Sequence, residues 1–447
     1  MSPVRRPPFE RREFLKLLLL ALGAAACRRI SAPLAGVEPS VAPALRPATA
    51  TAPPPTARPV LEPGPADTPI PTASPAFTPS ATPTSPPAPV PALVIDGHQD
   101  IAWNALEFGR DPLQSAYAIR EREAGSGIPH LIGQRVTGLP EYLAGRVGII
   151  FATLFVMPAE RAYTGWTKTA YSSPRQAEQR ANEQLRYYHQ LAGQAPRLRL
   201  IRSKSDLEEV VAAWTVPPGS QEPPVGLVIA MEGADPVRQP SDLSAWFEAG
   251  LRILGPAWGA TRYAGGTGAP GPLTNLGRQL LQEMANLNMI LDLSHLSEAA
   301  FLEAVEAYPG AVIASHSNPR KFLPTDRGLS KDMILKLAGR DGVLGIIPYN
   351  RYLKPGWSTG QAREAVPLET VVEAIDYVVQ AVGDAQHVAI GSDFDGGFGL
   401  ESLPWGMDTA ADLLQLAGAL QNRGYREEDI DAIMYQNWLR ILRRSLP

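Results

Sequence analysis

The 447-residue chain carries a formal net charge of −4, from 41 Lys and Arg against 45 Asp and Glu, and is long enough for one large domain or two ordinary ones. Residues 1–30 hold seven basic and two acidic side chains, a sum of +5, so the remainder sums to −9 and offers no basic surface for nucleic acid. Cys27 is the single cysteine, which excludes an intrachain disulfide and a cysteine-built zinc site and leaves histidine and carboxylate to hold any metal.

The first segment, residues 1–30, reads as an export signal. Arg11-Arg12, then Phe14-Leu15-Lys16, then an apolar run, resemble a twin-arginine signal. The run from Leu17 to Ala26 is ten residues, too short to span a bilayer as a mature helix. Cys27 follows three alanines, as at a bacterial lipoprotein processing site, although Ala24 stands where such sites usually carry leucine. Residues 31–92 hold 19 of the 45 prolines, mixed with Ala, Thr and Ser. Such a tract cannot bury a core and is expected to be a disordered linker. At about 3.1 Å per residue it reaches roughly 200 Å at most, enough to tether a domain to a membrane.

From Leu93 onward, short apolar runs alternate with helical patterns. Eight runs read as strands: "LVIDGHQD", "VGIIFATLFV", "VGLVIAMEGADP", "LRILGPAW", "MILDLSH", "AVIASHS", "GVLGIIPYN" and "HVAIGSDFDGG". Helices are expected between them, among others over 175–192, 272–287, 297–307, 330–339 and 367–382. Eight strands with helices between them predict an α/β domain over residues 93–447, a (β/α)8 TIM-type barrel. A doubly wound open sheet is the alternative, but no GxGxxG turn follows the first strand.

The polar residues share one address. His98 and Asp100 end the first strand, Glu232 the third, His295 the fifth, His316 the sixth and Asp393 the eighth. In a parallel barrel all these ends lie on one face, where active sites are built. Any one of them alone reads as a satisfied buried polar group. Three imidazoles and three carboxylates converging on one mouth point to metal ligation, and they are too many for one tetrahedral ion. They suit two ions sharing a carboxylate, Zn²⁺ first, with Mn²⁺, Fe²⁺ or Co²⁺ also held. His130 and His189 read as solvated, and His387 as a structural hydrogen-bonder. Asp292 and Asp395 read either as groups that orient a ligand or as partners of backbone amides.

The motifs "DGHQD", "MEGADP", "LDLSH", "ASHSNPR" and "GSDFDG", in this order, resemble the membrane dipeptidase (renal dipeptidase) family of binuclear zinc hydrolases, over essentially all of residues 93–447. The resemblance implies a (β/α)8 barrel with two Zn²⁺ that cleaves dipeptides. His98 and Asp100 would bind the first zinc, Glu232 would bridge both, and His295 and His316 would bind the second. Asp393 would complete the first and serve as acid and base, making Asp393 and Glu232 the catalytic pair. Arg327, in "PTDRGLS", falls where the family holds the substrate carboxylate, a task for a planar bidentate donor. The family histidine after the fourth strand is absent. Trp258 stands there as a substrate-binding residue, with Arg262 or Tyr263 as candidates to replace the lost donor.

The expectation is therefore an exported, extracytoplasmic metallo-dipeptidase, anchored by Cys27 to the outer face of the membrane as a lipoprotein. Its partner would be a small dipeptide-like molecule, with a homodimer left open. The alternatives are a related binuclear hydrolase of N-acyl amino acids, lactones or other small amides, and a non-catalytic binding lipoprotein.

Overall fold

The computed structural model describes residues 90–162, 168–216 and 223–447. The export signal, Cys27 and nearly all of the linker fall in residues 1–89, outside the described residues. Eight parallel strands form a closed ring: β1 (Val94–Gln99), β2 (Val147–Phe155), β3 (Val225–Glu232), β4 (Leu251–Gly255), β5 (Ile290–Asp292), β6 (Val312–Ala314), β7 (Val343–Ile346) and β8 (Val388–Ile390). Each pairs with its successor, and β8 closes onto β1 through Asp96 opposite Ile390. The domain is thus a (β/α)8 barrel, and the eight runs read from the sequence are its eight strands. A short strand, Leu198–Leu200, adds to the outer edge of β3.

The strands are continuous apolar runs because both faces are covered, by helices outside and by packed side chains inside. All nine residues of β2 are buried. Several crossover helices start at a Ser or Thr whose hydroxyl accepts the amide three residues on: Ser173, Ser203, Thr274, Ser297 and Ser330. Such caps satisfy backbone donors the helix itself leaves open. Thr274 also corrects an expected boundary. The helix foreseen from residue 272 begins at Asn275, because Ala269–Leu273, with two prolines, pairs antiparallel with Ala264–Gly266 as a hairpin.

Two buried details hold the seam and the mouth. Asp96 accepts from Gln99 Nε2 at 2.6 Å and from the Ser392 amide at 2.6 Å, and also from the Ser392 hydroxyl, fastening β1 to the end of β8. Three glycines, Gly97, Gly345 and Gly391, close around the Ser315 carbonyl. A Cβ on them would lie 2.6, 2.0 and 1.8 Å from that oxygen. Backbone packed this closely positions the end of β6, and with it His316. Replacing Gly345 with alanine is expected to cost about 1–3 kcal/mol through overpacking, and urea unfolding of the domain checks this.

Candidate metal centre

Each ligand candidate is placed by the end of a strand. His98 lies within β1, with Asp100 just beyond it. Glu232 is the last residue of β3. His295, His316 and Asp393 follow β5, β6 and β8. His98, Asp100, Glu232 and His316 are buried, and His295 and Asp393 are mostly so. The structure brings all six together.

Glu232 sits at the middle, and its two oxygens face different groups. Oε1 lies 2.8 Å from His295 Nε2 and 3.2 Å from His316 Nε2, and these two nitrogens are 3.0 Å apart. Oε2 lies 3.8 Å from His98 Nε2, which is itself 3.8 Å from Asp100 Oδ1 and 3.9 Å from Asp393 Oδ1. Ligand atoms of His98, Asp100 and Asp393, and likewise of His98, Glu232 and His316, lie within 4.8 Å of one another. Donors of a tetrahedral ion with bonds of about 2.0–2.1 Å stand about 3.3 Å apart, so the Glu232–His295–His316 triangle has the size of such a face. Asp100 Oδ1 is buried with no hydrogen-bond partner, an orphan acceptor that a cation would satisfy. The donor set fits two divalent ions with Glu232 between them.

Electrostatics agrees with the geometry. Burial, helped by the Arg327 charge, drives His98 down to about 3. Burial also drives His295 and His316 well below the ordinary histidine value, with Arg327 and the neighbouring imidazoles adding to the effect. The imidazoles are therefore neutral, the form that binds metal. Burial pushes Asp100, Glu232 and Asp393 well above the usual carboxylate range, and each is pushed further by a neighbouring carboxylate. Positive charge of ionic size among them reverses that logic.

Behind the ligands stand groups that aim them. Asp292 accepts from the Ser294 hydroxyl at 2.7 Å, from the amides of Ser294 and Ser315 at 3.0 and 2.9 Å, and from the Ser315 hydroxyl. Having given its one proton to Asp292, the Ser315 hydroxyl accepts from His316 Nδ1 at 2.7 Å, which leaves the Nε2 lone pair facing Glu232. Both sequence readings of Asp292 are thus realised. Thr267, on the hairpin loop after β4, meets His295 Nδ1 at 3.0 Å, and the Thr153 hydroxyl lies 3.4 Å from His98 Nδ1 and 3.5 Å from its Nε2. None of these hydroxyls was singled out in the sequence; a serine directly before His316 in "ASHS" was the only visible hint. Asp393 has φ of 54° and Asp395 of 62°, a left-handed conformation that aspartate tolerates better than most residues. The Asp395 carboxylate bonds to none of the six candidates. It accepts from the amides of Val136 and Thr137, both at 3.0 Å, and pairs with Arg135 at 3.3 Å.

Above the six residues opens a cavity of about 340 Å³. Trp103, Phe155, Met157 and Trp258 line it on an apolar side, and Arg327, Tyr349, Arg351 and Tyr352 also line it. Trp258 packs on Phe155 with ring centroids 5.3 Å apart and on His295 at 6.3 Å. Arg262 and Tyr263, expected as candidates to supply a donor beside Trp258, do not line the cavity. Arg262 is bound to Asp235 and to the carbonyls of Val237 and Arg238, and the Tyr263 hydroxyl donates to Val237. His130 is exposed, His189 meets the Ala249 carbonyl at 2.8 Å, and His387 meets that of Gly342 at 2.9 Å, all away from the centre.

Arg327 is buried. Its Nη1 donates to the Ser294 carbonyl at 2.8 Å and to the Ser317 hydroxyl at 2.5 Å, and its Nη2 donates to the His316 carbonyl. Nε has no partner, and Nη2 keeps a second hydrogen. Nε–H and Nη2–H form the side edge of a guanidinium, one of the edges a carboxylate grips in bidentate fashion.

Comparison with known proteins gives concordant results. The sequence model of a family described as membrane dipeptidase (peptidase family M19) matches residues 90–445. An uncharacterized protein encoded in the pqqA 5' region of Klebsiella pneumoniae is 33% identical over 263 residues, 57% of this chain and 91% of that protein. Dipeptidase tcpJ of Claviceps purpurea is 31% identical over 173 residues, 38% of each chain. A metallo peptidase from Rhodobacter sphaeroides, solved with a phosphinate mimic of the dipeptide L-Ala-D-Ala, shares the fold at a TM-score of 0.64 and 24% identity, covering 79% of this chain and 99% of that one.

Ser315→Ala removes the acceptor that fixes His316. It is expected to weaken metal binding by about 10–100-fold while the barrel stays folded. Competition with a chelator measures the first effect, and circular dichroism the second.

Proposed function

The chain belongs to the membrane dipeptidase family, a hydrolase of peptide bonds, and on that premise we propose that it is a zinc-dependent dipeptidase acting on dipeptides with a free C-terminal carboxylate. The observation that carries this reading is Glu232, whose two oxygens face two separate groups of ligand atoms. His98, Asp100 and Asp393 would hold one ion, His295 and His316 the other, with Glu232 shared. When bound, such a pair of ions acidifies a water and supplies positive charge for the oxyanion that develops on the scissile carbonyl.

The chain's own residues account for the rest. The open edge of Arg327 takes the substrate carboxylate and fixes the peptide relative to Glu232. Asp393, on the cavity wall, takes the proton of the attacking water and returns it to the leaving amine nitrogen. Trp103, Phe155 and Trp258 exclude water from the apolar side. That same side favours a second reading, hydrolysis of N-acyl amino acids, because an acyl chain fits an indole wall in place of the family histidine. A binding lipoprotein without catalysis is disfavoured by the complete ligand set.

Elemental analysis of the zinc-incubated protein is expected to find about two ions per chain, and one or none ends the binuclear reading. Amidating the C-terminus of a cleaved dipeptide should slow the native enzyme at least tenfold and the Arg327→Lys variant far less, since lysine lacks the planar fork. Equal cleavage of free and amidated dipeptides by the native enzyme removes Arg327 from this role.

The proposal extends to location. Arg11-Arg12 would direct export, and Cys27 would carry the lipid that holds the protein on the outer face of the membrane. Two or three acyl chains suffice for stable anchoring where one is marginal. Cys27→Ser is then expected to move the protein to the soluble fraction with its specific activity intact. A variant that stays with the membrane points instead to an uncleaved N-terminal anchor.

A further inference from the structure

The cavity holds a second guanidinium that the metal centre does not explain. Arg351 follows β7 on the short helix Asn350–Leu353 and lines the cavity with Arg327. The two differ in setting. Arg327 is buried and braced by three acceptors, whereas Arg351 is exposed and forms no ion pair among the described residues. At the wall of a cavity, a guanidinium not committed to a carboxylate of the chain is free to meet one on a ligand.

Its neighbours in the chain line the same cavity. Tyr349 stacks on Phe398 with centroids 4.1 Å apart and planes 5° from parallel, and packs on Tyr352 at 4.8 Å. Tyr352 lies in the field of both guanidinium groups and of Asp393 and Glu232. Arg327, Tyr352 and Arg351 therefore form one cationic side of the cavity. Trp103, Phe155, Met157 and Trp258 form a side with no charge. On the dipeptidase reading a terminal carboxylate takes the Arg327 edge that carries the unpartnered Nε, and the side chain of the same residue, one carbon away, falls in the cavity that Arg351 also lines.

We propose that Arg351 is a specificity residue that receives a second carboxylate, on the side chain of the C-terminal residue, so that dipeptides ending in aspartate or glutamate are the preferred substrates. This rests on the dipeptidase reading above. The charge balance favours it. Bound divalent ions more than offset the three ligand carboxylates, and the two arginines then make the cavity attractive to a dianion over a monoanion.

The test compares Ala-Glu with Ala-Gln, each with an L or a D C-terminal residue, on the zinc-loaded full chain. The two side chains have one shape and differ in charge. The native enzyme is expected to favour glutamate by about five- to tenfold in kcat/KM, the size of a partly exposed charged contact. That ratio should fall toward one in Arg351→Ala, survive in part in Arg351→Lys, and shrink with added salt. A native ratio of one, or a ratio that outlasts Arg351→Ala, overturns the inference. Calorimetry with free glutamate against glutamine separates this from the parent reading. If neither dipeptide is hydrolysed by fully metallated protein, the dipeptidase reading falls. Tighter binding of glutamate that is lost in Arg351→Ala still upholds the role of Arg351, and equal binding of the two ends it.

Discussion

The centre depends on one carboxylate being shared. Glu232 is buried at the last position of β3, with imidazoles against one oxygen and a His–Asp–Asp group beyond the other. A buried carboxylate without compensation is costly, and here three of them crowd together. The barrel supports this only because its strand ends are fixed from all sides. Asp96 locks β1 to β8, the Asp292–Ser315 pair locks β5 to β6, and glycines let the backbone close around the Ser315 carbonyl. Strand ends fastened in this way are what keep three like charges at working distance.

From that centre outward the molecule divides its tasks by layer. The ligands come from strand ends. Two of the imidazoles are aimed by a hydroxyl against Nδ1: His316 by Ser315, directly before it, and His295 by Thr267, on the hairpin after β4. The cavity comes from the segments after the strands: Trp103 follows β1, Phe155 ends β2, Trp258 follows β4, and Tyr349 to Tyr352 follow β7. Barrel enzymes vary their chemistry by varying these loops, and in this chain the loop after β4 presents the indole of Trp258 to the cavity.

The sequence made the inner layer legible and hid the outer ones. Strands buried on both faces appear as unbroken apolar runs, and a histidine or acid at the end of each is conspicuous against them. Ser315 was not conspicuous, because one hydroxyl has no periodicity and its role exists only once β5 lies beside β6. Arg327 was identified through the family motif, while its open edge needed coordinates. Arg351 went unnoticed since a lone arginine in "PYNRYLK" resembles any solvated residue. The stretch between β1 and β2 was also opaque. Its four short helices, from Ile101 to Ala144, carry too few turns for a clear repeat, and contacts far away in sequence hold them. The helix foreseen from residue 272 failed at its first turn, where two prolines suit the edge of a hairpin.

Asp395 links two of these layers physically. It grips the amides of Val136 and Thr137, and its carbonyl receives Asn104 at 2.9 Å. It thereby clamps the long β1–β2 connection two residues from Asp393. Asp393 and one flank of the cavity thus hang from the same bracket. Anyone redesigning this enzyme for another substrate inherits that coupling: grafting a new β1–β2 connection would drag the acid with it. A single side chain at the outer lip of that connection can change while its backbone stays clamped. Leu131, 43% exposed and facing the cavity from the helix Ile128–Ile132, offers a place to reshape selectivity without disturbing the chemistry beneath.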